Sequence, residues 1–425
     1  MTLGIATGFP RLRCAAVLTL LWLAFVVRGA WYSALQPAWE GYDEPYHFAA
    51  LQHVASGQGP AKADTPISLE VQESIHLLPL PWLLQFHAIS QPLTTHDAFW
   101  KLTAEERAKR IEAVHALNPH EGSQPATEPI LNYESQQAPL YYWIFAVPMR
   151  WMSSLPLLSR LYLLRFVNVL VASLAIPIAY WIALRVLRSD VQALGVTGII
   201  VLLPELMINV ARVGNESLAL VCYTAMLAAA VMAVQKPLSW RGWLLLGGAL
   251  GCALLTKAYV LTAVPAVLAM AVVSAWPGDA RATGRPKPAE IAMRLAGALA
   301  IAGAIAGRWY WQLHRATGSW SGQGDEVAVR NLSMLAKLAA LSHVNWKSGI
   351  LSVVSHVWFG AWSFLGCQTA FMFCLSGSSV YRSSASRQDC CVVAALQTRF
   401  APSSHWLDFM FSSMRDWRTA CWSYF

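Results

Sequence analysis

The stretch FVNVLVASLAIPIAYWIAL, residues 166–184, contains no charged side chain and is long enough to cross a membrane as one helix. A helix needs roughly 20 apolar residues to cross the ~30 Å hydrocarbon layer of a bilayer. The chain has six further apolar runs, at residues 15–27, 191–208, 218–234, 243–256, 258–276 and 295–307. Together the seven runs predict an all-α, polytopic transmembrane helix bundle of about seven spans.

The overall composition excludes a soluble globule. Of the 425 residues, 56% are hydrophobic and 13% are charged, against roughly 25% charged in soluble domains. The net charge of +8 comes from basic residues in short loops between the apolar runs, as the positive-inside rule describes. No nucleic-acid-binding motif accompanies these residues. We therefore expect membrane lipid, and no nucleic acid, as a partner.

The first apolar run has two interpretations. Arg11 and Arg13 precede a short apolar stretch, which is typical either of a signal peptide or of a retained first helix. No small-x-small cleavage site follows the run, and this favours the retained helix. We place the N-terminus in the cytoplasm.

The loop charges then predict the orientation of the later helices. The basic residues at 185–188, 236–241 and 281–294 fall on the cytoplasmic side, and the short external turns carry only Arg212 and Lys257 as basic residues. This orientation requires that the segment 139–152 does not cross the membrane. Because the segment is short and interrupted by Pro148, we interpret it as an interfacial or re-entrant helix.

The membrane domain is predicted to cover residues 1–366. It consists of an external loop subdomain at 28–165, the helix bundle at 166–307 and a second external region at 308–366. From residue 367 the chain becomes rich in serine and cysteine, without a membrane period. We interpret 367–425 as an atypical tail, from an out-of-frame or truncated ending. A poorly structured native tail is the alternative.

The segment WEGYDEPYHF, residues 39–48, is the first candidate for chemistry. If a helix begins at Asp43, then Asp43, Glu44 and His47 share one helix face. A carboxylate in this place can act as a general base on an acceptor hydroxyl or hold a divalent metal ion. The alternative is structural, since Asp is a good N-cap and Pro45 suits a first turn.

Three further segments carry candidate binding residues. In YESQQAPLYY, residues 133–142, the amides before Pro139 can bond a phosphate or a sugar, or the segment can be an aromatic membrane anchor. RVGNES, residues 212–217, and LLTK, residues 254–257, place Arg212 and Lys257 beside membrane helices, where charged residues tend to be functional. Their cations suit a lipid-borne phosphate leaving group. Snorkelling of Lys257 and helix capping by Asn215 are the alternatives.

The order of these motifs resembles that of the integral-membrane GT-C glycosyltransferases. That superfamily includes the dolichyl-phosphate-mannose protein mannosyltransferases and the bacterial lipid A aminoarabinose transferases. The resemblance covers roughly residues 11–364, and the Asp-Glu-Pro-x-His form is similar to less characterised bacterial relatives. It implies that Asp43 is the catalytic carboxylate, assisted by Glu44 and accompanied by His47. It further implies that Arg212 and Lys257 contact the donor phosphate. The other candidates for donor-phosphate or substrate binding in these segments are Asn215, Glu216, Gln137 and Tyr141.

The resemblance implies an inverting transferase. The enzyme would move a sugar from a polyprenyl-phosphate donor to a glycan, lipid or protein acceptor of the cell envelope, on the external face of a bacterial inner membrane. No cofactor is certain, although a divalent metal ion on Asp43 and Glu44 is a candidate. The chain departs from the family at Ala138, where a second proline is usual, and in lacking further spans after the aromatic element. A chain with an out-of-frame ending would be inactive.

Two other functions remain as alternatives. A transporter or flippase of polar lipids keeps polar groups near the bilayer midplane, in repeated halves, whereas these apolar runs are nearly free of charge in their middles. A non-catalytic membrane assembly factor would tolerate the change Asp43→Asn. No G-x-G-x-x-G after a strand and no P-loop marks a nucleotide-sugar site, which suits a lipid-linked donor.

Overall fold

The computed structural model describes residues 11–41, 43–62, 64–80, 96–124, 129–275, 287–322, 327, 329–343, 346 and 350. The tail at 367–425 and the end of the second external region, from 351 to 366, lie outside these residues. Within them all regular secondary structure is helical, apart from an isolated β-bridge between Pro66 and Leu131. The helices are α1 Arg11–Leu35, α2 Glu44–Ala55, α3 Leu69–Leu77, α4 His96–Lys101, α5 Ala104–Ala116, α6 Leu140–Trp151, α7 Leu157–Ser173, α8 Ala175–Leu187, α9 Asp190–Leu202, α10 Pro204–Val210, α11 Glu216–Gln235, α12 Trp240–Leu254, α13 Ala263–Ala275, α14 Pro288–Thr317 and α15 Met334–His343.

Five of the described helical stretches are long and apolar enough to cross a membrane. A sixth is added if α9 and α10, which meet at an angle of 60°, form one bent span. Pro204 causes this bend, because it lacks the N–H that would continue the backbone ladder of α9. The chain is therefore an integral membrane protein with an all-helical bundle, as the sequence indicated. The five stretches are Leu12–Leu35, Leu157–Leu187, Glu216–Gln235, Ala258–Ala275 and Pro288–Thr317.

Helix α12 explains why fewer spans are found than the seven runs that the sequence showed. Its helix covers Trp240–Leu254, 15 residues, which at 1.5 Å per residue reach only ~22 Å. The helix lies between α11 and α14. A methyl group added to Gly247 would come within 2.4 Å of the Ala298 carbonyl oxygen of α14. Small residues of this kind let membrane helices approach closely, so α12 packs tightly against α14.

Helix α1 packs on α7 and α9. Its Phe25 is fully buried, and the Trp22 indole N–H donates to the Ser173 hydroxyl over 3.1 Å. The Arg28 side chain donates to the Val201 carbonyl of α9 over 2.6 Å. The helix continues to Leu35, beyond the apolar run, because its last turns rest on neighbouring helices.

Helix α6 is short, as the sequence predicted for the segment 139–152. It has 12 residues, with Pro148 inside it, and does not belong to the five spanning stretches. Tyr141, Tyr142 and Phe145 of α6 are buried in the core formed with α2 and α7.

The described part of the segment from α2 to α6 is joined to α7 by a buried ion pair. Arg160 of α7 donates to the carboxylate of Glu70 in α3, and both side chains are buried. Glu70 also accepts from Gln52 of α2 over 2.6 Å, and Gln52 accepts from Ser68 over 2.7 Å. This network joins three helices across a long separation in the sequence.

The chain order brings several helix ends to one end of the bundle. Leu140, at the start of α6, donates its backbone N–H to the Leu255 carbonyl after α12 over 3.0 Å. Tyr310 of α14 donates to the Leu254 carbonyl over 2.8 Å. The beginnings of α2 and α11 lie at the same end, and the candidate residues are found there.

Candidate active site

The segment before α2 places Asp43 in an unusual backbone conformation. Asp43 has φ 56° and ψ 15°, and Trp39 in the same segment has φ 65°. This left-handed region is uncommon for residues other than glycine and is costly unless the surroundings enforce it. Asp43 occupies the N-cap position of α2, yet its carboxylate makes no capping hydrogen bond. Asp43 thus stands at the N-cap position that the structural alternative expects, but without the side-chain hydrogen bond of a capping residue.

Glu44 is held in a fully buried ion pair. Arg165 of α7 donates from Nε to Oε1 over 2.7 Å and from Nη2 to Oε2 over 2.5 Å. The backbone N–H of Val213 also donates to Oε1 over 2.8 Å. The same guanidinium donates to the carbonyls of Gln36 and Pro37. Glu44 thus ties the start of α2 to α7 and to the segment before α11.

His47 is buried beside Tyr142 of α6. The His47 Nδ1 and the Tyr142 hydroxyl lie 2.7 Å apart. Burial lowers the pKa of His47 to about 3, against a smaller opposite effect of the Glu216 carboxylate. His47 is therefore neutral at physiological pH and does not add a third cation to the site.

The segment before α6 contributes Glu134 and Gln137. Glu134 is buried, its backbone N–H donates to the Asn132 side chain over 3.0 Å, and its Oε2 accepts from Gln137 over 2.6 Å. Gln137 in turn accepts from Asn215 Nδ2 over 3.0 Å. Asn132 also donates to the Tyr46 carbonyl over 2.9 Å, so this segment is joined to both α2 and α11.

Glu134 is a carboxylate of the described site with a pKa near neutral pH. Burial, and after it the negative charge of Asp43, raises the pKa of Glu134 to about 7. The two carboxylates are therefore near enough to influence each other. Glu134 was not among the residues predicted from the sequence, although it lies in the segment 133–142. Its position could have indicated a role, because it is a carboxylate close to side-chain amides and two residues after Asn132, which caps the short helix there.

Tyr141 faces the interior rather than an opening. It is fully buried, its hydroxyl accepts from Asn168 Nδ2 over 3.2 Å, and its ring stacks on Phe145 with centroids 4.4 Å apart. Burial raises the pKa of Tyr141. The structure thus places Tyr141 in the packing that supports the site.

Arg212 and Lys257 come together on one carboxylate, that of Glu216. Arg212 Nη2 lies 2.8 Å from Glu216 Oε1, and the Lys257 ammonium forms an ion pair with the same oxygen. The Lys257 side chain is 20% exposed, so it is paired at the helix ends instead of snorkelling into the interface. Two cations from different helix ends are therefore within reach of one anion.

Asn215 lies between the two halves of the site. It occupies the N-cap position of α11 without a capping hydrogen bond from its side chain. Its Nδ2 donates instead to Gln137 and to the Thr256 carbonyl, over 3.0 and 3.2 Å. Asn215 thus joins the segments before α6, before α11 and after α12.

The structure brings nearly all of the predicted residues to one end of the bundle. Asp43, Glu134, Gln137 and the two cations form a connected group, whereas Glu44 and Tyr141 lie in the packing that supports it. Both oxygens of Glu44 are occupied by Arg165. Among the described residues no group of three or more His, Cys, Asp or Glu side chains is arranged to hold a metal ion.

Comparison with known proteins gives a family match for part of the chain. Residues 140–318 match the model of the dolichyl-phosphate-mannose-protein mannosyltransferase family, which is a family of the GT-C superfamily. The resemblance inferred from the motifs is thereby confirmed, and together with the apolar helices it supports an integral-membrane glycosyltransferase. No curated protein and no solved structure matches the chain. The matched region contains Arg212, Glu216 and Lys257, and it begins just after Gln137.

Proposed function

We propose that the protein transfers a sugar from a polyprenyl-phosphate donor to an acceptor on the non-cytoplasmic side of the membrane. The observation that carries the proposal is the meeting of Arg212 and Lys257 on the Glu216 carboxylate, beside the pair of carboxylates Asp43 and Glu134. Cations suit the phosphate of the donor, and a carboxylate suits the acceptor proton.

In the proposed reaction the acceptor and the departing phosphate lie on opposite sides of the sugar carbon C1. The acceptor hydroxyl or amine attacks C1, and its proton passes to Asp43. The bond between C1 and the phosphate oxygen breaks, and its electron pair stays on the phosphate. Arg212 and Lys257 stabilise the charge that develops there, because fixed cations in a site of low dielectric strongly stabilise a departing anion.

Glu134 is assigned to the same proton transfer. A group with a pKa near the working pH is an effective proton acceptor, since it is ionised before the step and still basic. Glu44 is assigned to positioning: its ion pair with Arg165 fixes the start of α2 and thereby the strained backbone at Asp43.

The external location rests on charge asymmetry. Along the chain, the basic segments at 185–188 and 236–241 alternate with the helix ends that carry Arg212 and Lys257. Basic loops remain on the cytoplasmic side. With these segments inside, Asp43, Arg212 and Lys257 lie outside, where a lipid-linked sugar is available and nucleotide sugars are not.

The experiment is mass spectrometry of lipid-linked sugars and envelope glycans from three strains. One strain lacks the gene, one carries it, and one carries the double variant Arg212→Ala, Lys257→Ala at equal abundance. We expect one sugar residue to disappear from the acceptor, and its polyprenyl-phosphate form to accumulate, in the first and third strains. A changed distribution of polar lipids with unchanged glycans would instead identify a flippase and overturn the proposal.

A further inference from the structure

The carboxylate of Glu216 lies where the proposed site expects an anionic phosphate. It is the first residue of α11, and its Oε1 contacts both Arg212 and Lys257. Its other oxygen, Oε2, is buried and accepts no hydrogen bond from the described residues. A methyl group on Gly214 would come within 2.5 Å of Oε2, so this glycine leaves the space in which the carboxylate stands.

The presence of Glu216 is not explained by phosphate binding alone. A site that only had to attract phosphate would leave both cations unneutralised, because an added negative charge repels the ligand. Other titratable groups near the cluster are His47 and Glu134, whose pKa values both respond to the charges of Glu216 and Lys257, and Tyr259, whose ring lies under the Lys257 ammonium. Asp43 acts on the cluster through Glu134. Glu216 is in direct contact with both cations.

Donor and product differ in charge. The donor is a phosphodiester with one negative charge. When the bond between C1 and the phosphate oxygen breaks, the electron pair remains on polyprenyl phosphate, a monoester with about two negative charges above its second pKa of about 6. By Coulomb's law, the repulsion between Glu216 and the ligand is about twice as large for the product as for the donor at equal distance.

We propose that Glu216 is the residue that releases the product: by offsetting one cation of the Arg212–Lys257 pair, it weakens binding of the dianionic polyprenyl phosphate more than binding of the monoanionic donor. The inference rests on the proposed function. It reduces the preference for monoester over diester that two unopposed cations would give the phosphate subsite.

The test compares wild type, Glu216→Gln and Glu216→Asp as full-length chains in liposomes, at pH 8, where the product is dianionic. Glu216→Gln removes the charge and keeps the size, whereas Glu216→Asp keeps the charge. We expect Glu216→Gln to bind unmodified polyprenyl phosphate about ten-fold more tightly, and the donor only about three-fold more tightly, which is half the change in free energy. Its steady-state turnover should fall by a larger factor than its single-turnover rate, because slower product release affects only the first.

Three outcomes are distinguishable. If Glu216→Gln loses affinity for both ligands, the carboxylate only holds Arg212 and Lys257 in place, and the inference is overturned. Equal changes for donor and product also overturn it. Glu216→Asp should retain the wild-type preference. Binding of polyprenyl phosphate is measured independently of sugar transfer. If wild type and both variants all fail to transfer sugar, that result contradicts the proposed function, whereas the binding measurements still test the charge effect of Glu216.

Discussion

Arg165 of α7 donates two hydrogen bonds to the two carboxylate oxygens of Glu44, 121 residues earlier in the chain. Both side chains are fully buried. The pair joins a membrane helix to the first turn of α2, directly after Asp43. The position of the proposed catalytic carboxylate therefore depends on an ion pair that does not itself take part in the reaction.

The change Glu44→Gln should destabilise the protein. It leaves the buried Arg165 guanidinium without its counter-charge, and breaking such a pair costs about 3–5 kcal/mol. Thermal unfolding of the purified protein in detergent measures this effect. The matched control is Glu105→Gln on the exposed face of α5, where the carboxylate is 78% exposed and the expected change is below about 0.5 kcal/mol. Equal stability of the two variants would contradict the structural role of Glu44.

Gly41 should be intolerant of a side chain. A methyl group there would lie 2.8 Å from Cβ of Arg212 and 3.2 Å from Cβ of Glu44, so Gly41→Ala must displace the donor-binding cation or the turn at Asp43. We expect the KM for the donor to rise about ten-fold, with a stability loss of about 1–3 kcal/mol. Gly248→Ala in α12, with nothing within 4 Å of the added methyl group, should leave both quantities close to wild type.

Glu134 should give the reaction a dependence on pH. With a pKa of about 7, its carboxylate holds a proton below that pH and is ionised above it, so transfer should increase as the pH rises through about 7. Glu134→Gln should lose this rise and show a lower plateau. The pH profile of kcat/KM for the donor measures it. A Glu134→Gln profile that keeps the inflection near pH 7 would assign the inflection to another group.

The raised pKa of Glu134 also makes the free energy of unfolding decrease as the pH rises. The folded-state pKa of Glu134 is raised, from 4.5 to about 7. Its contribution to the free energy of unfolding is therefore fully present below about pH 4.5 and is lost as the pH rises through about 7. Glu134→Gln should lack this dependence.

Much of the bundle could be predicted from the sequence, because apolar length alone identifies helices that suit a membrane. The short α6 was predicted from its length and from Pro148. Five or six of the described helical stretches qualify as spans, against about seven predicted, since nothing in the run 243–256 shows that α12 ends at Leu254 and packs between α11 and α14. Helix packing depends on partners far away in the chain.

The candidate site was predicted in part for the same reason. Local motifs identified Asp43, Arg212 and Lys257. The roles of Glu44 and Glu134 depend on tertiary contacts: the pairing with Arg165 in one case, and burial near Asp43 in the other. One signal was available, because Arg160 and Arg165 lie in a helix that continues into a membrane span, and a charge in such a place requires a partner.

The orientation of the site can be measured separately. A reporter inserted in the exposed helix Ala104–Ala116 should be accessible from outside the cell, and one placed in the loop at 236–241 should be accessible only from the cytoplasm. Cytoplasmic accessibility of the first reporter would place Asp43 and the cations on the wrong side for a lipid-linked donor.

The most direct test of the account is the amount of sugar transferred in cells that carry Asp43→Asn, compared with wild type and with a deletion at equal protein abundance. Mass spectrometry of the acceptor and of the lipid-linked sugar supplies the measurement. We expect Asp43→Asn to reduce transfer by at least about 10²-fold, to the level of the deletion, with the polyprenyl-phosphate sugar accumulating. If Asp43→Asn and wild type give the same product, while the deletion differs, Asp43 is a turn residue, and a transporter or an assembly factor explains the protein better.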